Sequence, residues 1–339
     1  MAVATASYAD AVHDAFDAAS ARVPIVSHDV DLAGHAIRLR FAGDQLDQRL
    51  APAFGHLARP PAGTEPALTI DAWDRAAHPI GPPAPPWDVT SYGTRERILG
   101  IDADELRASY DAGHGLLSLH RPGSSRAAFI ARDAQDVPRW VARMPFRYVL
   151  GWWAGDTGLT FVHAAAVGRD DACLLLPGSS GSGKSTTALA ADDAGLTFLA
   201  DDLCLLDAAT RTAYAPFRWA KAEADALELV PGLRSRITET EEGQSMLRPA
   251  NLVRSARIVG LALPHVTGRT ETSVRPAKPA EAVFALGPST LVEGNGAGHG
   301  SLAMLASLAK HVPAAHVDVG TDMAGVVAAL EGLLERWAS

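Results

Sequence analysis

One segment constrains this chain more than any other. Gly178-Ser179-Ser180-Gly181-Ser182-Gly183-Lys184-Ser185 matches G-x-x-x-x-G-K-[ST] in full. The flanks suit the motif: an apolar, strand-like run ends at Leu176, and a helix-forming run opens at Lys184 and stops at Gly195. Glycines let the backbone turn so tightly that successive N–H groups point into one concavity. The helix that follows adds its free N–H groups and the positive end of its dipole. Such a loop cradles phosphates. Lys184 is positioned to reach the outer phosphates and the Ser185 hydroxyl to ligate Mg²⁺. Residues Gly178 to Thr186 are therefore the candidate nucleotide-binding residues, with ATP and Mg²⁺ the expected cofactors, and a Gly/Ser linker explains the flanks poorly.

A phosphate loop by itself does not select an activity. Phe198-Leu-Ala-Asp-Asp-Leu203 adds to it, placing carboxylates 17 and 18 residues after Lys184. One short helix and one strand fill that gap. If the two strands are parallel neighbours, Asp201 and Asp202 stand at the carboxyl end of the second, where open α/β sheets bind ligands. A carboxylate there can hold Mg²⁺ or accept a proton from an attacking hydroxyl, and two can divide those tasks. The alternative is one Asp capping a turn and the other solvated. His163, in Thr-Phe-Val-His-Ala-Ala-Ala-Val and 21 residues before Lys184, reads on its own as a hydrogen-bonded core histidine. The Leu-Ser-Gly-Gly-Gln segment of transporter ATPases and the Asn-Lys-x-Asp guanine motif are both absent from the sequence.

Length and composition set the frame. At 339 residues with 47% hydrophobic side chains, the chain suits two globular domains, and a boundary is expected near residue 150. The front part, 1–150, reads as a smaller α+β domain. His35–Phe41 alternates as a half-buried strand, and Leu116–His120 with Ala127–Ala131 reads as a hairpin. Gly81–Pro86 is a stiff surface loop. The aromatic stretch from Val137 to Ala154 is expected to pack between the two halves, with Pro138 and Pro145 each opening a short helix.

In the second part, Leu159–Val167, Ala172–Leu176, Leu196–Ala200, Leu203–Leu206 and Ala314–Val319 are strand-like. Gly294–Gly300 is a flexible loop before a helix over Ser301–His311, and Met323 to Trp337 repeats apolar residues at helical spacing. A net charge of −9 argues against nucleic acid as a partner. No apolar run approaches the roughly 18 residues needed to span a bilayer, and the start has no basic region of a targeting segment, so a cytoplasmic protein is expected. Cys173 and Cys204 are expected as buried core thiols with no disulfide framework.

His163, the loop Gly178–Ser185 and Asp201-Asp202, in this order and spacing, resemble the catalytic domain of HPr kinase/phosphorylase and of the HPr-kinase-like proteins encoded beside peptide-modification genes. The carrier is His-Ala-Ala-Ala, then Leu-Pro-Gly-Ser-Ser-Gly-Ser-Gly-Lys-Ser-Thr, then Ala-Asp-Asp-Leu, and the resemblance spans about residues 150–339. It implies an α/β P-loop kinase fold related to phosphoenolpyruvate carboxykinase, and transfer of the ATP γ-phosphoryl group to a serine hydroxyl of a peptide or small protein. By resemblance Asp201 is the base, Asp202 assists at metal and phosphates, His163 stands near the γ-phosphate, and Lys184 and Ser185 keep their loop roles. A homo-oligomer is implied as well. The later segment departs from the bifunctional enzyme. Its substrate-gripping arginine has no clear counterpart, and Lys221, Arg234, Arg236, Arg248, Arg254 and Arg275 are the basic candidates. A kinase for a small-molecule hydroxyl such as free serine or a sugar, and an ATP-sensing module without catalysis, remain alternative readings.

Overall fold

The computed structural model describes residues 2–60, 63, 65–78, 80–88, 98, 104–241, 243–293 and 299–338, with backbone alone at 2–6, 288–293 and 299–302. The chain forms two compact units, Met1–Thr157 and Gly158–Ser339, each a mixed α/β structure. Residue 150 lies inside a helix of the first unit.

The first unit carries α1 (Ala2–Ser20), β1 (Ile25–Leu32), β2 (His35–Ala42), α2 (Gln45–Leu50), β3 (Leu68–Asp74), β4 (Arg107–Asp111), β5 (Leu116–His120), β6 (Arg126–Ala131), α3 (Arg139–Arg143) and α4 (Arg147–Asp156). Its sheet runs β1-β2-β3-β6-β5-β4, with β2, β3 and β6 parallel and the outer strands antiparallel. The alternation read in β2 holds: Ile37, Leu39 and Phe41 are buried while Arg38 and Arg40 are half-buried. β5 and β6 form the expected hairpin. Gly81–Pro86 is irregular. Helix α1, not anticipated, lays Tyr8, Ala9, Val12 and Phe16 on the sheet beside Trp73 and Ile130.

The aromatic stretch contributes to the core of this unit. Phe146 stacks on Phe54 and meets Phe41 and Phe129, with centroids 5.2–6.2 Å apart. Its left-handed φ of 59°, unfavourable for a bulky residue, is held by those three rings. That places Pro145 one residue ahead of the cap of α4, while Pro138 is the cap of α3.

The second unit holds β7 (Thr160–Val162), β8 (Ala164–Arg169), β9 (Ala172–Pro177), α5 (Lys184–Asp193), β10 (Thr197–Ala200), β11 (Cys204–Asp207), β12 (Thr212–Tyr214), β13 (Ala220–Glu223), α6 (Ala224–Leu229), β14 (Ile237–Glu241), β15 (Gln244–Leu247), β16 (Ser255–Val266), β17 (Ser273–Pro276), α7 (Pro279–Glu293), α8 (His299–His311), β18 (Ala314–Val319) and α9 (Met323–Trp337). The main sheet runs β10-β8-β9-β16-β12-β11-β7, and β18 joins the far half of β16. Alternate residues of β8 and β9 face opposite layers. Ala165, Val167, Leu174 and Leu176 pack with α5 and α9, and Ala164, Ala166, Cys173 and Leu175 pack with α7 and α8. Helices thus cover both faces, which is why these strands read as continuous apolar runs. β13, β15 and β14 form a separate small sheet. Of the expected loop Gly294–Gly300, residues 294–298 lie outside the described residues.

Two details differ from the expectation and shape the site. The run Leu159–Val167 is two strands, bent at His163: β7 pairs with β11 and β8 with β9 and β10. And β10 is not the neighbour of β9. Both pair antiparallel with β8, which lies between them, so they point the same way one strand apart. β9, β16 and β18 are parallel neighbours. The carboxyl ends of β9, β10, β16 and β18 therefore share one edge of the sheet.

Candidate active site

The loop leaves β9, every residue of which is buried, and opens α5. Three glycines are required for different reasons. Gly181 and Gly183 have φ of +78° and +94°, in the left-handed region that favours glycine. A Cβ on Gly178 would stand 2.6 Å from Ser182 Oγ, and one on Gly183 would stand 2.9 Å from Val266 Cγ2. Lys184, the first residue of α5, is 6% exposed, and its Nζ donates to the carbonyls of Gly178 (2.8 Å) and Ser179 (2.9 Å). The ammonium is thus folded across the loop.

The far end of α5 is anchored. The side chain of Asp192, wholly excluded from solvent, accepts the N–H groups of Ala250 (2.9 Å) and Asn251 (2.9 Å) and pairs with Arg236. Asp193 takes the other arm of Arg236 at 2.7 Å. The helix that presents the loop is therefore tied at its C-terminus to the segment leading into β16.

A cleft of about 390 Å³, within the usual range for small-ligand sites, opens over the loop. Ser180, Gly181, Gly183, Lys184, Ser185 and Thr186 line it together with His163 and Asp202. Gly178, Ser179 and Ser182 belong to the loop but not to the cleft wall. Asp201 also lies off the wall. It is 3% exposed, and its Oδ2 accepts the backbone N–H of Lys221 at 2.8 Å, fixing the start of β13. Asp202 is the carboxylate at the cleft: its Oδ1 is 3.6 Å from His163 Nδ1 and its Oδ2 is 3.8 Å from Lys221 Nζ. The bend at His163 is what brings the imidazole to this carboxylate. The two aspartates, adjacent residues leaving a strand, thus point to different sides, Asp202 into the cleft and Asp201 to the Lys221 N–H.

The basic candidates sort themselves. Lys221 lines the cleft. Arg236 is bound into the Asp192 and Asp193 network. Arg234, Arg248, Arg254 and Arg275 are exposed, Arg248 over the Trp219 ring and Arg275 3.6 Å from Asp318. Ser185 and Asp202 are the oxygen donors at the loop that could ligate a hard cation, and among the described residues no group of three or more His, Cys, Asp or Glu gathers as a metal site. The two cysteines are free and buried, and burial drives both thiols upward, Cys204 to about 12, which disfavours the thiolate form.

The sequence reading did not find the remaining walls. One is Glu223, Asp225 and Leu229 of β13 and α6, and the other is Val266, Gly268 and the Val319–Met323 corner. The second had a signal: like the loop after β9, Val319-Gly-Thr-Asp322 is a strand end, a glycine and a helix cap in succession. Among the described residues no helix is long and apolar enough to cross a membrane. Compared with models of known protein families and with curated proteins, the chain matches none.

Proposed function

We propose that the second unit is an ATP- and Mg²⁺-dependent kinase of P-loop type that transfers the γ-phosphoryl group to a hydroxyl, with serine in a peptide or small protein as the leading acceptor class. The observation that carries this reading is the convergence of Lys184, Ser185, Asp202 and His163 on one cleft at the carboxyl edge of the sheet. The loop fits a triphosphate: Gly181 and Gly183 adopt left-handed backbone conformations that favour glycine, and the Lys184 ammonium already bridges two loop carbonyls that phosphate oxygens would replace as partners.

In this reading Ser185 holds the Mg²⁺ ion, which supplies charge neutralisation at the phosphates when bound. Lys184 binds the outer phosphates. Asp202 orients the acceptor hydroxyl and takes its proton, with His163 and Lys221 on either side fixing the carboxylate. Asp201, given the base role by resemblance, becomes a positioning residue that holds the Lys221 strand. Little covalent chemistry is asked of the protein, and alignment with electrostatic stabilisation supplies the acceleration.

The test is incubation of γ-labelled ATP with serine-containing peptides and small alcohols. Label should appear on an acceptor hydroxyl, and Lys184→Ala should abolish it while the fold persists. ATP that binds, more weakly to Lys184→Ala, yet with no turnover to any acceptor or to water would support the sensing module instead.

A further inference from the structure

The cleft has two unlike walls, and their difference assigns the ends of the nucleotide. One wall, beside Asp202, carries three charges, Lys221, Glu223 and Asp225, alongside the apolar Ala226 and Leu229. The other is built from the carboxyl ends of β16 and β18, which are parallel neighbours in register to Val266 and Val319. Past those residues the two chains run back against each other. Thr267 N–H donates to the Val319 carbonyl (3.2 Å), Thr321 N–H to Arg269 (2.9 Å) and Asp322 N–H to Thr270 (3.1 Å). Gly320 sits so close that an added Cβ would lie 2.2 Å from the Thr270 carbonyl. The result is a backbone-tied ledge whose cleft-facing residues, Val266, Gly268, Val319, Gly320, Thr321 and Met323, carry no charge. Val266 is 50% exposed there, one of the few large apolar side chains left open, and it stands against the glycine that opens α5.

Resting on the proposed phosphate role of the loop, we infer that this ledge is the nucleobase subsite. The flat apolar face of the base lies on Val266 and Met323, and the acceptor enters past Lys221 and Glu223. A triphosphate on Gly181–Ser185 has its nucleoside leaving along one wall or the other. A neutral heteroaromatic base gains by covering exposed apolar surface, at about 25 cal/mol per Å². On the charged wall the exposed Leu229 offers part of that gain, but the base would also cover Lys221, Glu223 and Asp225, and desolvating those unmatched charges opposes it.

The test is titration calorimetry of the full chain with Mg-ATP and, separately, with inorganic tripolyphosphate, for the wild type and the uncharged variants Val266→Asn and Met323→Gln, with unfolding midpoints recorded for each. Both variants should weaken Mg-ATP by about tenfold or more while tripolyphosphate stays within about twofold. If Mg-ATP affinity is unchanged in both variants, or if Mg-ATP and tripolyphosphate fall together in both, the base does not lie on this ledge. If the wild type binds neither probe, the phosphate role of the loop fails and the subsite falls with it. Tripolyphosphate binding with silent ledge substitutions overturns the subsite alone.

Discussion

Replacing Asp192 by alanine tests how the phosphate-loop helix is held. The wild-type carboxylate, with no exposed side-chain surface, accepts the Ala250 and Asn251 N–H groups and Asn251 Nδ2 (3.3 Å) and pairs with Arg236, itself 16% exposed. Removing one partner of a buried ion pair costs about 3–5 kcal/mol, and here Arg236 keeps Asp193 while the Ala250 and Asn251 N–H groups lose their acceptor. Residual access of water to Arg236 and to the exposed Ala250 points to the lower end, about 3 kcal/mol. For a unit of this size about 2–4 °C is lost per kcal/mol, so the transition of the second unit should fall by about 6–12 °C in a calorimetric scan. Asp192→Asn, which keeps an acceptor oxygen but not the charge, should lose roughly half as much. Adding Arg236→Met to Asp192→Ala should change stability little further, since once Asp192 is gone Arg236 keeps only its half-exposed bond to Asp193. A cost below about 1 kcal/mol for Asp192→Ala would refute the view that this buried carboxylate anchors α5.

Two other outcomes follow from burial and charge. Both thiols are fully buried and pushed upward, so a disulfide reagent at mild alkaline pH should leave native protein unmodified and label both cysteines only after unfolding; rapid labelling of the native protein would contradict their core placement. His120, buried in β5 with Nε2 3.0 Å from the Ser124 carbonyl, is held below the ordinary histidine value chiefly by burial. The unfolded chain therefore binds the proton more readily, and this contribution to stability is present above about pH 6.5 and lost as pH falls below it. The denaturation midpoint of the first unit should drop between about pH 7 and 5, and His120→Gln should flatten that slope.

What the sequence made legible is what local chemistry decides. The apolar run of β9, the glycines that need left-handed φ, the start of α5 at Lys184 and its stop at Gly195 all lie within one stretch, each enforced by neighbours a few residues away. Helix α9 was legible because Val326, Val327, Leu330, Leu333 and Leu334 fall on one buried stripe. Strand neighbours were not, because pairing is a long-range choice: nothing between residues 184 and 201 says that β8 inserts between β9 and β10. The bend at His163 is invisible in a run that is apolar on both sides of it. Which of two adjacent aspartates faces the cleft depends on a turn and on the distant N–H of Lys221, and Lys221 itself differs from the exposed arginines only in where β13 lands. Phe146 shows the same limit in the first unit. Its left-handed backbone is set by rings from β2, β6 and the segment after α2.

The most direct test of the account is the turnover of γ-labelled ATP, to an acceptor or to water, by Asp202→Asn and Asp201→Asn side by side. Asp202→Asn should lower kcat by about 10²–10⁴ with KM for ATP little changed, whereas Asp201→Asn, whose amide oxygen can still accept the Lys221 N–H, should cost about tenfold or less. The reverse order, with Asp201→Asn inactive and Asp202→Asn near wild type, would contradict the assignment of the cleft carboxylate as the proton acceptor.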